Sequence, residues 1–374
     1  MARRPLVALL AFAASVACAQ PVTPPPIAAK AFILVDTLSG RTLAAGAEND
    51  RFEPASLTKV MTAYVVFSAM RAGELDAAKA VSISEKAARA GGARMFLAPG
   101  SPVPVAELVR GMIVQSANDA AIALAEAAAG SDEAFVARMN AQARRMGLAN
   151  TAFTNPTGFP APGHHVSARD VATLAARMIA DFPEHYRLYS EKEFTYNGIT
   201  QANRNRLLWT DPTVEGMTTG FTESAGYCLL VTARRGERRL VSVVLGAQSD
   251  ALRTSESQKL LNFGFLAYDT RRLYRKGETV ANPAVFKGTR STVELGFDHD
   301  VWLTLPRDRF RGLSAALETR QPFVAPLAAG QKAGIMKLTR ENAPIAEVPV
   351  VVLEEVPVAG FLSRGFDTLR LLFQ

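Results

Sequence analysis

Ala31-Phe32-Ile33-Leu34-Val35, then Asp36-Thr37-Leu38-Ser39-Gly40, then Arg41-Thr42-Leu43-Ala44-Ala45 reads as an apolar strand, a polar turn ending in glycine, and a second strand. The period then changes. From Ser56 to about Met70 the apolar residues Leu57, Val60, Met61, Tyr64 and Val65 recur at helical spacing, between Pro54 and Gly73. Helical patterns return over 105–114, 119–129, 132–146 and 167–179, separated by Gly, Pro and Asn clusters. Strands resume at 217–221, 227–234 and 238–246, and a helix is expected over 255–268. A strand pair, a run of helices, a strand triplet and a closing helix predict an antiparallel sheet with helices on its faces, an α/β sandwich within residues 20–273.

Both flanks of this unit differ from it. Short β-rich runs at 280–286, 291–295, 301–305, 334–338 and 348–353 alternate with Pro and Gly turns, predicting a small all-β domain over 274–356. In the tail, 357–374, a helix would place Phe361, Leu362, Phe366, Leu369, Leu372 and Phe373 on one face, with Arg364, Asp367, Thr368 and Arg370 opposite. Such an amphipathic helix is expected to lie on a membrane surface. At the other end, Arg3 and Arg4 precede the apolar run Leu6 to Val16 and the small-residue sequence Ala17-Cys18-Ala19. This is the pattern of a secretory signal peptide, expected at 1–19 and followed by a Pro-rich spacer. Cleavage leaves Cys228 as the single cysteine, so no intrachain disulfide is expected in the exported protein.

Composition narrows the function. The chain has 374 residues, 48% hydrophobic and 21% charged, which excludes disordered, collagenous and disulfide-stapled classes. Its net charge of +7 is spread among interleaved acidic and basic residues rather than massed in blocks, so no nucleic acid partner is expected. Only four histidines occur, none in a metal-ligand spacing, and neither a metal nor another cofactor is expected. Without a G-x-S-x-G elbow, an enzyme here would need a base other than histidine.

Ser56-Leu57-Thr58-Lys59 supplies one. At i,i+3 on a helix the hydroxyl and the amine share a face, and a lysine kept neutral by burial can accept the hydroxyl proton. Ser116-Ala117-Asn118, at the break before the helix at 119–129, either caps that helix or presents a hydroxyl and an amide to a substrate. Thr218-Thr219-Gly220 lies on an expected strand, where Gly220 would allow close backbone approach.

In this order, roughly 60 and 100 residues apart, the three elements match the serine acyltransferase plan of penicillin-binding proteins and β-lactamases. Further stretches agree: Asn155-Pro156-Thr157-Gly158, Pro162-Gly163-His164-His165, Ser167-Ala168-Arg169-Asp170, Asn203-Arg204-Asn205 and Gly220-Phe221-Thr222. Over nearly its whole mature length the chain resembles the D-alanyl-D-alanine carboxypeptidase family, the low-molecular-mass penicillin-binding proteins. The resemblance implies a transpeptidase/β-lactamase-like α/β fold, a β-rich second domain and an amphipathic membrane anchor at the periplasmic face of the bacterial inner membrane. It implies peptidoglycan stem peptides as substrates and β-lactam antibiotics as acylating agents. Ser56 would be the nucleophile, Lys59 its base, Ser116 the proton relay and Asn118 a substrate or lysine contact. The Ser56 and Phe221 amides would form the oxyanion hole, with Thr219, Gly220, Arg204 and Arg253 also on the substrate.

One position departs from the family pattern. The third motif ordinarily begins with lysine, and this chain has Thr218 there. The resemblance assigns that lysine a positive charge for the substrate carboxylate and for the relay at the second serine, so threonine removes a charge-assisted contact. An alternative to the active carboxypeptidase is therefore an impaired homologue that binds peptidoglycan or penicillin as a scaffold. A β-lactamase is disfavoured, because the stretch from Asn155 to Asp170 has no acidic residue before Asp170 to serve as a deacylation base.

Overall fold

The computed structural model describes residues 22–360, and its centre is the ten-residue strand Gly226–Arg235. Side chains along it alternate between two apolar layers: Cys228 and Leu230 enter one core cluster, Leu229, Val231 and Ala233 the other. Burial on both faces is why its sequence shows a continuous apolar run with no polar alternation. Around it stand β1 (Ala31–Asp36), β2 (Thr42–Gly46), β3 (Val214–Gly216), β4 (Thr219–Thr222), β5 (the central strand) and β6 (Arg238–Ala247). They form one antiparallel sheet in the order β2-β1-β6-β5-β3, with β4 also paired to β5.

Helices cover both faces. α1 (Thr58–Arg71), α2 (Val105–Val114), α3 (Asn118–Ala129), α4 (Asp132–Arg145) and α5 (Ala168–Asp181) build the larger core on one side. On the other, α6 (Asp250–Ala267) contributes Leu260, Leu261 and Phe265. α1 is apolar nearly all round, as a helix running through a core must be, with Val60, Met61, Ala63, Val66 and Phe67 fully buried. Its N-terminal end is thereby fixed against the sheet, and Ser56 and Lys59 are fixed with it.

Among the boundaries that differ from the sequence expectation, two bear on the site. The closing helix starts at Asp250 instead of 255, because the Ser249 hydroxyl caps it by accepting from the Leu252 amide. The strand expected over 217–221 is divided: Gly216 and Met217 both take positive φ, +124° and +87°, and separate β3 from β4.

The second domain comprises β7 (Tyr268–Tyr274), β8 (Thr279–Ala281), β9 (Leu295–Gly296), β10 (Val301–Pro306), β11 (Leu313–Thr319), β12 (Lys332–Arg340) and β13 (Ala343–Val352). Five of them form a sheet in the order β8-β9-β13-β12-β11, and β7 pairs with β10. β7 holds Asp269, Arg271 and Arg272, and most of β11 is exposed with Leu313 and Leu317 packed on the core, so patterning did not reveal them. The division drawn from sequence at 273/274 falls at the end of β7. The signal peptide expected at 1–19 and nearly all of the tail helix expected at 357–374 lie outside the described residues. Among the described residues no helix is long and apolar enough to cross a membrane.

The two domains meet at a buried charge. The Asp36 carboxylate, at the end of β1, is fully buried and accepts from Arg238 Nε at 2.7 Å and Thr270 Oγ1 at 2.6 Å, as well as from the Leu38 and Ser39 amides. Arg238 in turn donates to the Tyr268 carbonyl, and Arg41 to that of Thr304. A buried ion pair costs most when one partner is removed, because the other charge stays uncompensated. Asp36→Ala is expected to cost about 3–5 kcal/mol, seen as a lowered urea midpoint with the β7–β10 pair loosened in hydrogen exchange.

Candidate active site

Three segments converge on one cleft: the 3₁₀ turn Ala55–Leu57 ahead of α1, the break between α2 and α3, and β4. Their approach is as close as backbone allows. Gly158 takes φ +91°, and a Cβ there would lie 1.8 Å from the Ala55 carbonyl oxygen. Only glycine lets the loop 155–159 lie on the serine turn. From the other side, a Cβ on Gly220 would lie 3.0 Å from Ala55 Cβ, so β4 also runs against this turn. Ala55 itself has φ +46°, a strained conformation just before the serine. The cleft between them has a volume of about 300 Å³ and is lined by Ser56, Ser116, Asn118, Thr219, Arg204 and Arg253, among others.

Lys59 lies beneath Ser56 and is almost fully buried. Its Nζ is 3.1 Å from Ser56 Oγ, 2.6 Å from Asn118 Oδ1 and 2.8 Å from the Thr157 carbonyl. Two of these partners are acceptors only; the third is a hydroxyl. A neutral amine has two N–H groups and one lone pair, so it satisfies all three by donating to Asn118 and Thr157 and accepting from Ser56. Burial favours that neutral form: desolvation, helped by the Arg204 charge and opposed by Asp119, lowers the amine to about 7. At neutral pH much of Lys59 is therefore a base aimed at the serine hydroxyl.

Asn118 is held for this contact. Its Nδ2 donates to the Gly91 carbonyl and its amide to the Ala93 carbonyl, at the first turn of α3. Ser116, two residues earlier, takes φ +60°, and among the described residues its buried Oγ has no hydrogen-bond partner. Thr219, Gly220 and Phe221 line the cleft from β4, whereas Thr218 does not. Thr218 is buried and its hydroxyl turns to the Thr219 carbonyl.

The two arginines differ. Arg253 lines the cleft, but its guanidinium is committed: Nε and Nη2 to Asp250, Nη1 to the Gly220 and Cys228 carbonyls. It braces β4. Arg204 is exposed and, among the described residues, makes no hydrogen bond or ion pair with protein. Cys228, packed under β4, is free and buried, and desolvation raises its thiol to about 11, which leaves it inert.

Sequence reading marked the Asn155–Gly158 and His164 stretches by their resemblance and gave them no part in carrying the loop. His164 Nδ1 accepts from the Thr154 amide, so the proton sits on Nε2, which donates to Thr58 Oγ1 at 2.8 Å. Asn155 Oδ1 accepts from the Thr157 and Gly158 amides, and this turn presents the Thr157 carbonyl to Lys59. Asn155-Pro156-Thr157-Gly158 was legible only as a stretch that resembles the family. That its carbonyl faces a lysine 98 residues away was not.

The chain matches a family model described as D-alanyl-D-alanine carboxypeptidase over residues 18–249 and one described as the C-terminal domain of penicillin-binding protein 5 over residues 268–358. It is 42% identical to D-alanyl-D-alanine carboxypeptidase DacC of Escherichia coli, covering 98% of this chain and 93% of that protein. The crystal structure of penicillin-binding protein 5 from Haemophilus influenzae superposes with a TM-score of 0.87 at 40% identity, covering 90% of this chain and all of that one. Penicillin-binding protein D2 from Listeria monocytogenes, solved in its ampicillin-bound form, superposes over 66% of this chain with a TM-score of 0.60 at 29% identity. The chain belongs to the D-alanyl-D-alanine carboxypeptidase family.

Burial holds His164 at about 4, well below the ordinary 6.5, with the neighbouring His165 charge adding to the effect. The unfolded chain therefore binds this proton first as pH falls. Stability is expected to be full above about pH 6.5 and to decline as pH drops toward 4. Urea midpoints measured across this range should show the decline in the parent chain and a shallower one in His164→Gln.

Proposed function

We propose that this protein is a serine-type D,D-carboxypeptidase that removes the terminal D-alanine from peptidoglycan stem peptides. The observation that carries it is the Lys59 amine, buried and held between two acceptors with its remaining position on Ser56 Oγ. Lys59 takes the Ser56 proton as Oγ bonds to the carbonyl carbon between the two D-alanines. The Ser56 and Phe221 amides receive the developing oxyanion. As the C–N bond breaks, Ser116 passes the proton to the leaving amine and free D-alanine departs. Water then cleaves the Ser56 ester, with Lys59 again as base. Asn118 keeps the lysine oriented, and Arg204, the uncommitted cation of the cleft, receives the substrate's terminal carboxylate. A β-lactam ring acylates the same serine.

Thr218 leaves the Ser56–Lys59–Asn118 centre intact, so this reading is preferred to a non-catalytic scaffold. Its cost falls on the relay, where Ser116 Oγ is without a partner. The leader at 1–19 and the tail at 357–374 support a place for the protein at the periplasmic face of the inner membrane, held by the tail helix.

Labelling by a fluorescent penicillin and D-alanine release from a diacetyl-Lys-D-Ala-D-Ala peptide test the mechanism. Both are expected in the parent chain and absent in Ser56→Ala. Thr218→Lys should raise the acylation rate by about 10- to 100-fold by giving Ser116 a charged partner. Labelling that persists in Ser56→Ala would overturn the acyl-enzyme assignment.

The pH profile tests the lysine. In the parent chain kcat/KM should rise with pH through about 7 as Lys59 loses its proton. Arg204 disfavours the protonated lysine, so Arg204→Gln should move this limb to higher pH and raise KM.

A further inference from the structure

At the mouth of the cleft two phenylalanine rings stand open to water. Phe159 is 40% exposed and Phe221 51%, and both line the cavity that holds Ser56. Large apolar side chains left in solvent forgo their hydrophobic stabilisation, and paired at a cavity rim they mark a surface that something covers.

Neither ring sits on a loose segment. Asn155 Nδ2 donates to the Phe159 carbonyl, the Phe159 amide faces Thr157 Oγ1, and the ring lies over the Gly91-Gly92 backbone. Phe221 is opposite Tyr227 in the β4–β5 register, with ring centroids 4.4 Å apart, and Tyr227 itself lies against the Arg253 guanidinium. Both rings are thus positioned before any ligand arrives, which lowers the ordering cost of binding.

The rest of the lining divides the ligand between its ends. Ser56, Ser116, Asn118 and Thr219 are polar, and Arg204 is the cation that awaits a carboxylate. A leaving D-alanine brings that carboxylate and only a methyl group, so it does not need two aromatic faces. What remains for them is the other side of the scissile bond.

We propose that Phe159 and Phe221 form an apolar clamp for the substituent on the acyl side of the bond, so that the cleft selects acyl donors carrying an aromatic or extended aliphatic group there. This rests on the Ser56 acyl-enzyme reading. The clamp acts on binding and orientation and takes no part in proton transfer.

The test compares second-order rate constants for acylation by two probes, followed by mass spectrometry of the intact protein. One is benzylpenicillin; the other is the same penicillin nucleus with a bare amine in place of the phenylacetamido group. Their ratio is measured in the full chain, in Phe159→Ala and in Phe221→Ala. A general loss of acylation, or an unfolded fraction, cancels from the ratio. The preference for benzylpenicillin is expected to fall by about tenfold in each variant, and Phe159→Leu should fall between parent and Phe159→Ala. A ratio that stays within about twofold of the parent value in both alanine variants would overturn the clamp and leave the acyl-enzyme standing. Absence of acylation by either probe in the parent chain would overturn both.

Discussion

An ammonium group in water is strongly hydrated, and at the N-terminal end of α1 that hydration is gone. Three protein oxygens, on Ser56, Asn118 and Thr157, replace it around Lys59 Nζ. Burial disfavours the charge and so favours an amine over an ammonium ion, and the amine's two N–H groups and one lone pair can be satisfied by two acceptors and one hydroxyl. Much of the structure serves this substitution. α1 has to be buried on every side to carry the lysine into the core, α3 has to begin where Asn118 meets it, and the 155–159 loop has to turn a backbone carbonyl inward. Each oxygen comes from a different part of the chain, so the base exists only in the folded protein.

Holding those parts together requires backbone contacts that side chains would prevent. Gly158 on one side and Gly220 on the other bring two chain segments onto the turn that carries Ser56. The neutral His164 ring, bridging Thr58 and Thr154, ties the same loop to the start of α1. The serine is thus preorganised by packing around it, and its strained neighbour Ala55 is held by that packing.

Charge around the cleft is arranged differently from the usual family motif. The cation expected at the first position of the third motif is replaced by a buried threonine that lies off the cleft. Positive charge is left to two arginines from other elements. Arg253 spends its guanidinium on Asp250 and on two carbonyls of the sheet, so it acts on β4. Arg204 makes no such commitment among the described residues and also bears on Lys59. One arginine on the cleft wall thereby bears on the basicity of its lysine. Ser116, which lines the cleft, has a positive φ and a buried hydroxyl without a partner among the described residues.

By itself, the sequence determined whatever depends on local period and on short spacing. The apolar run at 227–231 marked a strand, the helical spacing of apolar residues after Ser56 marked an apolar helix, and the i,i+3 spacing put Ser56 and Lys59 on one face. Strands such as β7 and β11 escaped because charged or exposed residues interrupt the few apolar ones that they pack on the core. The side-chain cap that starts α6 at Asp250 escaped because Ser249 lies ahead of the apolar repeat. Only the tertiary structure decided that Thr157 offers its carbonyl to Lys59, that His164 is neutral and structural, and that Arg253 is occupied while Arg204 is available. These facts depend on backbone oxygens and on which donors are already satisfied. Residue identity does not encode either, because both are consequences of contacts that form only when separate elements pack together.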